Sequence, residues 1–340
     1  MTQDTHDIVE HWQRVQSILR GYRQAQVLIT AAQLGVFREL STGPLSAPAL
    51  AVRIDAEPSG VRRLLNAAVA MGLLAQDGER YANAPLAEAC LAQEQGRFYL
   101  GNLVSREGAF YRRWSHLPLA VRSGKQPEAT LQDEESALWV RDFELALLDL
   151  ARAAAPAIAE VLPVPADRPS RVLDVGGGHG GYSIALARRY PNVEATVFEL
   201  PAAAEIAREI IAAEGMSERV AVYTADFQQE ALGSDYDLVL LFGVLGSESS
   251  EGRQALLDKV HDALAPGGSI AIRGFADNEQ PDGLDEALFS LHLLLSTAAG
   301  DSPTLDDLHQ GLITAGFVQP RLIPLPDWIG STLLVADKPR

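Results

Sequence analysis

The stretch Val172-Leu-Asp-Val-Gly-Gly-Gly-His-Gly-Gly181 limits what this chain can fold into more than any other. A short apolar run, Arg171–Val175, ends next to a cluster of glycines and passes into a helical pattern over Tyr182–Tyr190. Glycine lets the backbone turn sharply and lets a ligand come close, at the carboxyl end of a strand and the amino end of a helix. The alternation then continues. Strand-like Val193–Phe198, Val220–Thr224, Tyr236–Leu245 and Ser269–Arg273 are interleaved with helical Ala202–Ala213 and Gly252–Leu264. A turn at Pro266-Gly-Gly268 precedes Ser269. A helix over Leu305–Ala315 is followed by strands near Val318–Ile323 and Ser331–Ala336. This pattern implies a doubly wound α/β domain over residues 166–340, a parallel sheet with helices on both faces.

Two further acids stand where successive strands of such a sheet end. Glu199 follows the second strand, about 20 residues past the glycine turn, where a carboxylate suits the two hydroxyls of a ribose. Asp226 follows the third strand; it could accept from an adenine amino group, with Phe227 against the ring. Asp174 closes the first strand. Each has a plainer explanation, a helix N-cap for Asp226 and sheet-edge solvation for Asp174 and Glu199. All three in register favour a nucleoside-containing ligand. A nicotinamide cofactor is the competing ligand, but the turn departs from a clean G-x-G-x-x-G.

The N-terminal part reads differently. Apolar residues recur at helical spacing from Ile8 to Phe37, with Gly35 and Gly43 at the end. Ser46–Arg53 reads as a short helix with a Ser cap and an early Pro, and Pro58–Gly72 as another closed by glycine. Leu73–Tyr81 reads as a hairpin turning at Asp77-Gly78. Three helices and a hairpin over residues 1–100 are a winged-helix pattern. Residues 101–165 look mainly helical and carry aromatics. Trp139 and Phe143, four apart, share a helix face that could sandwich a flat ring or simply pack in a core. Pro163-Val-Pro165 marks a linker.

The net charge of −17 opposes nucleic-acid binding, despite the winged-helix pattern and Arg62-Arg63. Apolar runs fall short of a membrane span, and the first residues lack the features of a signal peptide. The single cysteine, Cys90, excludes an intrachain disulfide. These features point to a cytoplasmic protein, and no His/Asp/Glu cluster at ligand spacing suggests a metal.

The sequence resembles the small-molecule O-methyltransferases related to caffeic acid and acetylserotonin O-methyltransferases, which use S-adenosylmethionine (SAM). The likeness is carried by Val172–Gly178, Tyr190-Pro191, Phe198-Glu-Leu-Pro201, Glu218-Arg219-Val220, Asp226-Phe227, Ala265-Pro-Gly-Gly268 and Ala315-Gly-Phe317. In the N-terminal part it is carried by Leu34-Gly-Val-Phe37 and Met71-Gly-Leu-Leu74. The resemblance implies a class I methyltransferase fold, Rossmann-like, with a winged-helix dimerisation domain, and hence a homodimer. It implies SAM binding by Gly176, Gly178, Glu199, Leu200, Asp226 and Phe227, beside Asp174.

The catalytic positions depart from that family. Gly246 stands where its general-base histidine should be, Arg273 and Ser302 where its supporting carboxylates should be, and Phe242 where a lysine is common. In this respect the chain is similar to the bacteriochlorophyllide C-20 methyltransferase-like members. Two readings follow. One is methylation of an aromatic, polyketide-like or tetrapyrrole-like acceptor that needs no base, at oxygen or carbon. The other is a repurposed member with hydroxylase- or pericyclase-like chemistry, or an inactive SAM-binding protein. Substitute bases are His292, on a helix that with Leu293 lines the family's acceptor pocket, and Glu248, otherwise an exposed loop acid. Trp139 and Phe143 would complete that pocket. His179 is expected to face cofactor or solvent, and His261 to lie on the surface.

Overall fold

A computed structural model describes residues 3–94, 96–128, 137–165, 167–274, 283–297, 303–329 and 332–340. The chain separates into two compact units, Met1–Phe110 and Tyr111–Arg340.

In the first unit, α1 (Gln3–Gln33) does not run on to Phe37 as its periodicity suggests. Gly35 takes a left-handed φ of 73°, and a separate α2 (Val36–Ser41) begins there. Such a backbone favours glycine, so the break is local chemistry overriding pattern. β1 (Leu45–Ser46) leads into α3 (Ala47–Arg53), whose Ser46 hydroxyl accepts from the Ala49 N–H. α4 (Pro58–Ala70) is capped by the Glu57 carboxylate, which accepts from the Gly60 N–H at 2.9 Å. β2 (Leu74–Asp77) and β3 (Arg80–Asn83) form the hairpin, and β1 pairs with β3. Val36, Phe37, Leu40, Leu50, Leu65 and Tyr81 fill the core. α5 (Pro85–Ala87), a π-turn and α6 (Gly101–Trp114) follow.

The second unit adds α7 (Leu117–Ser123) and α8 (Ala137–Val161) before the sheet. The strands are β4 (Ser170–Val175), β5 (Val193–Glu199), β6 (Val220–Thr224), β7 (Tyr236–Phe242), β8 (Leu264–Arg273), β9 (Val318–Ile323) and β10 (Leu333–Asp337). Their order is β6-β5-β4-β7-β8-β10-β9. Strands β4 to β8 are mutually parallel, each pairing in parallel with its neighbour. The doubly wound sheet is as expected, with one reversed strand, β10, which is antiparallel to both β8 and β9. A parallel return needs a crossover of a dozen or more residues; β9 and β10 are joined by a shorter segment that carries a 3-10 turn, Asp327–Ile329.

β7 is apolar at successive positions because both of its faces are covered. Leu238 and Leu240 pack with Leu148 and Ile158 of α8, Ile184 and Leu186 of α9 (Gly181–Arg189), and Ile206 and Ile210 of α10 (Pro201–Ala213). Val239 and Leu241 pack with Leu256 and Val260 of α11 (Ser250–Ala263) and Leu308 and Leu312 of α13 (Leu305–Thr314). α12 (Leu284–Ser296) lies between β8 and α13 in sequence. The chain runs from β4 to β5 on one side and pairs β4 with β7 on the other. The switch point, where such sheets open a crevice for ligands, therefore lies at the carboxyl end of β4.

Candidate active site

The glycine turn sits at that point. Gly176, Gly178 and Gly180 have φ of 63°, 48° and 70°. A side chain at 176 would strike Val244, and one at 178 would strike the Glu144 carboxylate, so glycine is required twice over. Glu199, at the end of β5, ties the turn to the next strand. One of its oxygens accepts from the Gly178 N–H at 3.0 Å, the other from the Leu200 N–H at 2.7 Å. Burial raises the pKa of Glu199 against these two bonds.

Asp174 is 1% exposed, which removes solvation at the sheet edge as its explanation. One oxygen accepts from the Ser183 hydroxyl at 2.8 Å; the other has no partner. Burial, opposed by that bond and reinforced by the charge of Glu199, pushes its pKa up to about 7. Asp226 does not cap a helix either. Its carboxylate accepts from the Gln228 N–H at 2.8 Å and the Gln229 amide at 2.9 Å, closing a turn. The Lys259 ammonium pins that turn from below through the carbonyls of Phe227, Gln228 and Glu230, at 2.6 to 3.3 Å. Asp226 and Phe227 are left half-buried at the end of β6. Leu200, the residue before α10, is half-exposed.

At the carboxyl ends of β7 and β8 the chemistry changes. Gly246 is buried in a 3-10 turn, and a Cβ built there would rest 3.8 Å from a methyl of Leu293 on α12. Phe242 meets Tyr182 edge-on at 4.9 Å, and Arg273 donates to the Tyr182 hydroxyl. His292 is half-buried and stacks on Phe289, centroids 6.1 Å apart. Trp139 and Phe143 stack at 6.3 Å on α8, with the Arg113 guanidinium 4.4 Å from the Trp139 ring centre. Ser302 lies outside the described residues.

Three expectations are corrected. Glu248 is buried, not an exposed loop acid, and both its oxygens accept from the Gln228 amide at 3.0 and 3.1 Å. His179 is buried and does not face solvent; its Nδ1 accepts from the Gly181 N–H at 2.9 Å, and burial drives its pKa down to about 4, so the ring is neutral. His261 is half-buried, edge-on to Phe317 at 5.2 Å.

One residue escaped the sequence reading altogether. Glu144 on α8 is 7% exposed and its carboxylate lies over Gly178. Burial, with the charge of Glu199 adding to it and the His179 N–H opposing it, pushes its pKa up to about 8. A signal was present: the buried stripe Leu148, Ala151, Ala155, Ile158, Leu162, extended one turn towards the N-terminus, lands on Glu144.

Comparison with known proteins agrees with this geometry. Sequence profiles match residues 164–318 to the O-methyltransferase domain and residues 16–93 to the O-methyltransferase dimerisation domain. The chain is 30% identical to a 3-hydroxy-5-methyl-1-naphthoate 3-O-methyltransferase of Streptomyces sahachiroi, over 82% of this chain and 81% of the relative. It is 27% identical to the N,N-dimethyltransferase OxyT of Streptomyces rimosus, over 94% of each. The crystal structure of human N-acetylserotonin methyltransferase in complex with SAM superposes with a TM-score of 0.86 at 25% identity, covering 97% of this chain and 98% of that one. The residues present fit that cofactor: a glycine turn at the switch point, carboxylates at the ends of β4, β5 and β6, and the unpartnered buried oxygens of Asp174 and Glu144. The chain therefore belongs to the SAM-dependent small-molecule O-methyltransferase family.

Proposed function

We propose that this enzyme methylates a small planar acceptor, aromatic, polyketide-like or tetrapyrrole-like, at an oxygen or ring carbon that is already nucleophilic, with no general base at position 246. SAM, when bound, supplies an electrophilic methyl group. Glu199, with the N–H of Gly178 and of Leu200 fixed on it, is the ribose-binding group, and Asp226 and Phe227 flank the adenine.

The observation that carries the reading is Gly246. It is buried, and a Cβ built on it would meet the methyls of Leu293. A base must come within about 3 Å of the proton it removes, and this position offers none. Glu248 is a poor substitute, because its oxygens are held by Gln228. Rate then comes from holding the nucleophile in line with the methyl group. The stacked Trp139 and Phe143 form a flat platform for the acceptor, and His292 and Leu293 line its other side.

Homodimerisation through residues 1 to about 100, in a cytoplasmic enzyme, is part of the same reading. It is supported by the dimerisation profile and by α1, which keeps Trp12, Val15, Ile18 and Leu19 outward. No helix among the described residues is long and apolar enough to cross a membrane.

The test is a series of naphthols and hydroxyquinones of graded acidity, with S-adenosylhomocysteine (SAH) release as the readout. An enzyme without a base follows the acceptor's own ionisation. At pH 7 an acceptor with a pKa near 10 should turn over roughly 500-fold more slowly than one near 7. Equal rates across the series would show that the protein supplies a base after all. SAM binding with no methyl transfer to any acceptor would favour a repurposed family member.

A further inference from the structure

Three carboxylates, those of Glu144, Asp174 and Glu199, converge on the glycine turn, and none forms an ion pair among the described residues. Gly178 is shared between two of them. Its N–H is held by Glu199, and its Cα faces Glu144. One oxygen of Glu144 and one of Asp174 are buried with no hydrogen-bond partner. Buried polar atoms are nearly always satisfied, and buried carboxylates almost always paired. An exception at a ligand crevice points to a group the ligand brings.

The surrounding charges do not supply that group. On α8 itself Arg141 is bound to Glu209 and Arg152 to Glu214. From the elements packed against α8, Arg188 of α9 is also bound to Glu214, and Arg208 of α10 to Thr224. Glu205 and Glu209 of α10 are acids, as is Asp142 on α8. His179 is neutral, and the charge that Glu144 feels is another acid, Glu199.

We propose that Glu144 is a recognition residue for the cationic part of SAM: its buried carboxylate gives a proton to solvent and takes a positive centre of the donor as its counter-ion. The donor carries two such centres, the α-ammonium and the sulfonium, and SAH keeps only the ammonium. The assignment rests on SAM binding and is independent of which acceptor is used. It explains why burial and a like charge are tolerated at Glu144: without ligand the group is largely protonated at neutral pH, its pKa being raised to about 8.

The experiment is calorimetric titration of the full-length protein with SAM and with SAH, between pH 6 and 9. Two buffers of different ionisation enthalpy report proton release. Wild type should release roughly one proton per SAM at pH 7, with affinity climbing about 25-fold from pH 6.5 to 8.5. Glu144→Gln, a near-isostere of the protonated acid, should release much less and bind at least about tenfold more weakly at pH 8.5. Glu144→Asp should recover part of the pH dependence. SAH affinity that drops with SAM affinity in Glu144→Gln identifies the ammonium as the partner; SAH affinity that does not change identifies the sulfonium. Binding of both ligands by Glu144→Gln with wild-type affinity and wild-type proton release overturns the assignment alone. No binding by folded wild type overturns the donor site with it.

Discussion

The two halves of the sheet's carboxyl edge are built from opposite materials. At the ends of β4, β5 and β6 the chain places Asp174, Glu199 and Asp226, adds Glu144 from α8, and fixes each carboxylate except for the unpartnered oxygens of Asp174 and Glu144. At the ends of β7 and β8 it places Phe242, Gly246 and Arg273, facing Leu293 and Tyr182. The first half gathers four acids, two of them buried; the second offers shape, with Arg273 as its cation. On the site assignment proposed above, the acidic half takes the methyl donor, which is charged and the same in every reaction of the family, so that half is rigid and polar. On the function proposed above, the acceptor is already nucleophilic and asks only to be oriented, so its half can be apolar.

The sharpest way to break this contrast is at Glu199. Hydrogen bonds to a charged group are worth about 1.5–3 kcal/mol each, and two ribose hydroxyls would lose theirs. Glu199→Ala should weaken SAM by roughly 100-fold or more in calorimetry, also because the Gly178 and Leu200 N–H groups lose the acceptor that orders the turn. An affinity within threefold of wild type would mean that this edge does not hold the nucleoside.

A smaller effect should appear without any ligand. Glu144 and Asp174 have pKa values raised to about 8 and about 7 in the folded state, above their unfolded values. The folded protein therefore binds more protons than the unfolded chain. The stability this contributes is complete below the unfolded pKa values and is lost as pH rises through 7 and 8. Free enzyme should lose about 4 kcal/mol between pH 6 and 8.5, a fall of roughly 5 °C in Tm. The fall should shrink in Glu144→Gln and should be largely removed by saturating SAM. A Tm that rises with pH over this range would contradict the buried, uncompensated carboxylates.

The sequence made these two halves unequally legible. Gly176, Gly178, Glu199 and Asp226 could be read because a strand, a turn and an acid in register are local and repeat along the chain. Glu144 could not, since its meaning lies in meeting Gly178 across about 34 residues of chain, and nothing local separates it from a solvated helix acid. Glu248 failed for the same reason in reverse: a polar loop predicted exposure, and the amide of Gln228 made burial possible. The break at Gly35 and the reversal of β10 were set by one residue's φ and one connection's length, below the resolution of a periodic pattern.

The least effect, and the finest test of the acceptor half, is expected at Gly246. Its φ lies outside the left-handed region and a Cβ there meets Leu293 at ordinary contact distance, so Gly246→His should fold with a change in Tm of no more than about 3 °C. A well-placed general base contributes about 10²–10⁴ in rate, but it needs a partner that orients it. Arg273, at the end of β8 and bonded to Tyr182, cannot orient an imidazolium of like charge. The gain should therefore be only about tenfold, and confined to acceptors whose hydroxyls are protonated at the working pH. Acceptors already ionised at pH 7 should be turned over within about twofold of wild type, because nothing is left for a base to remove. A gain of equal size for ionised and un-ionised acceptors would show that the residue at position 246 acts on the fit of the acceptor, and that the apolar half does more than orient.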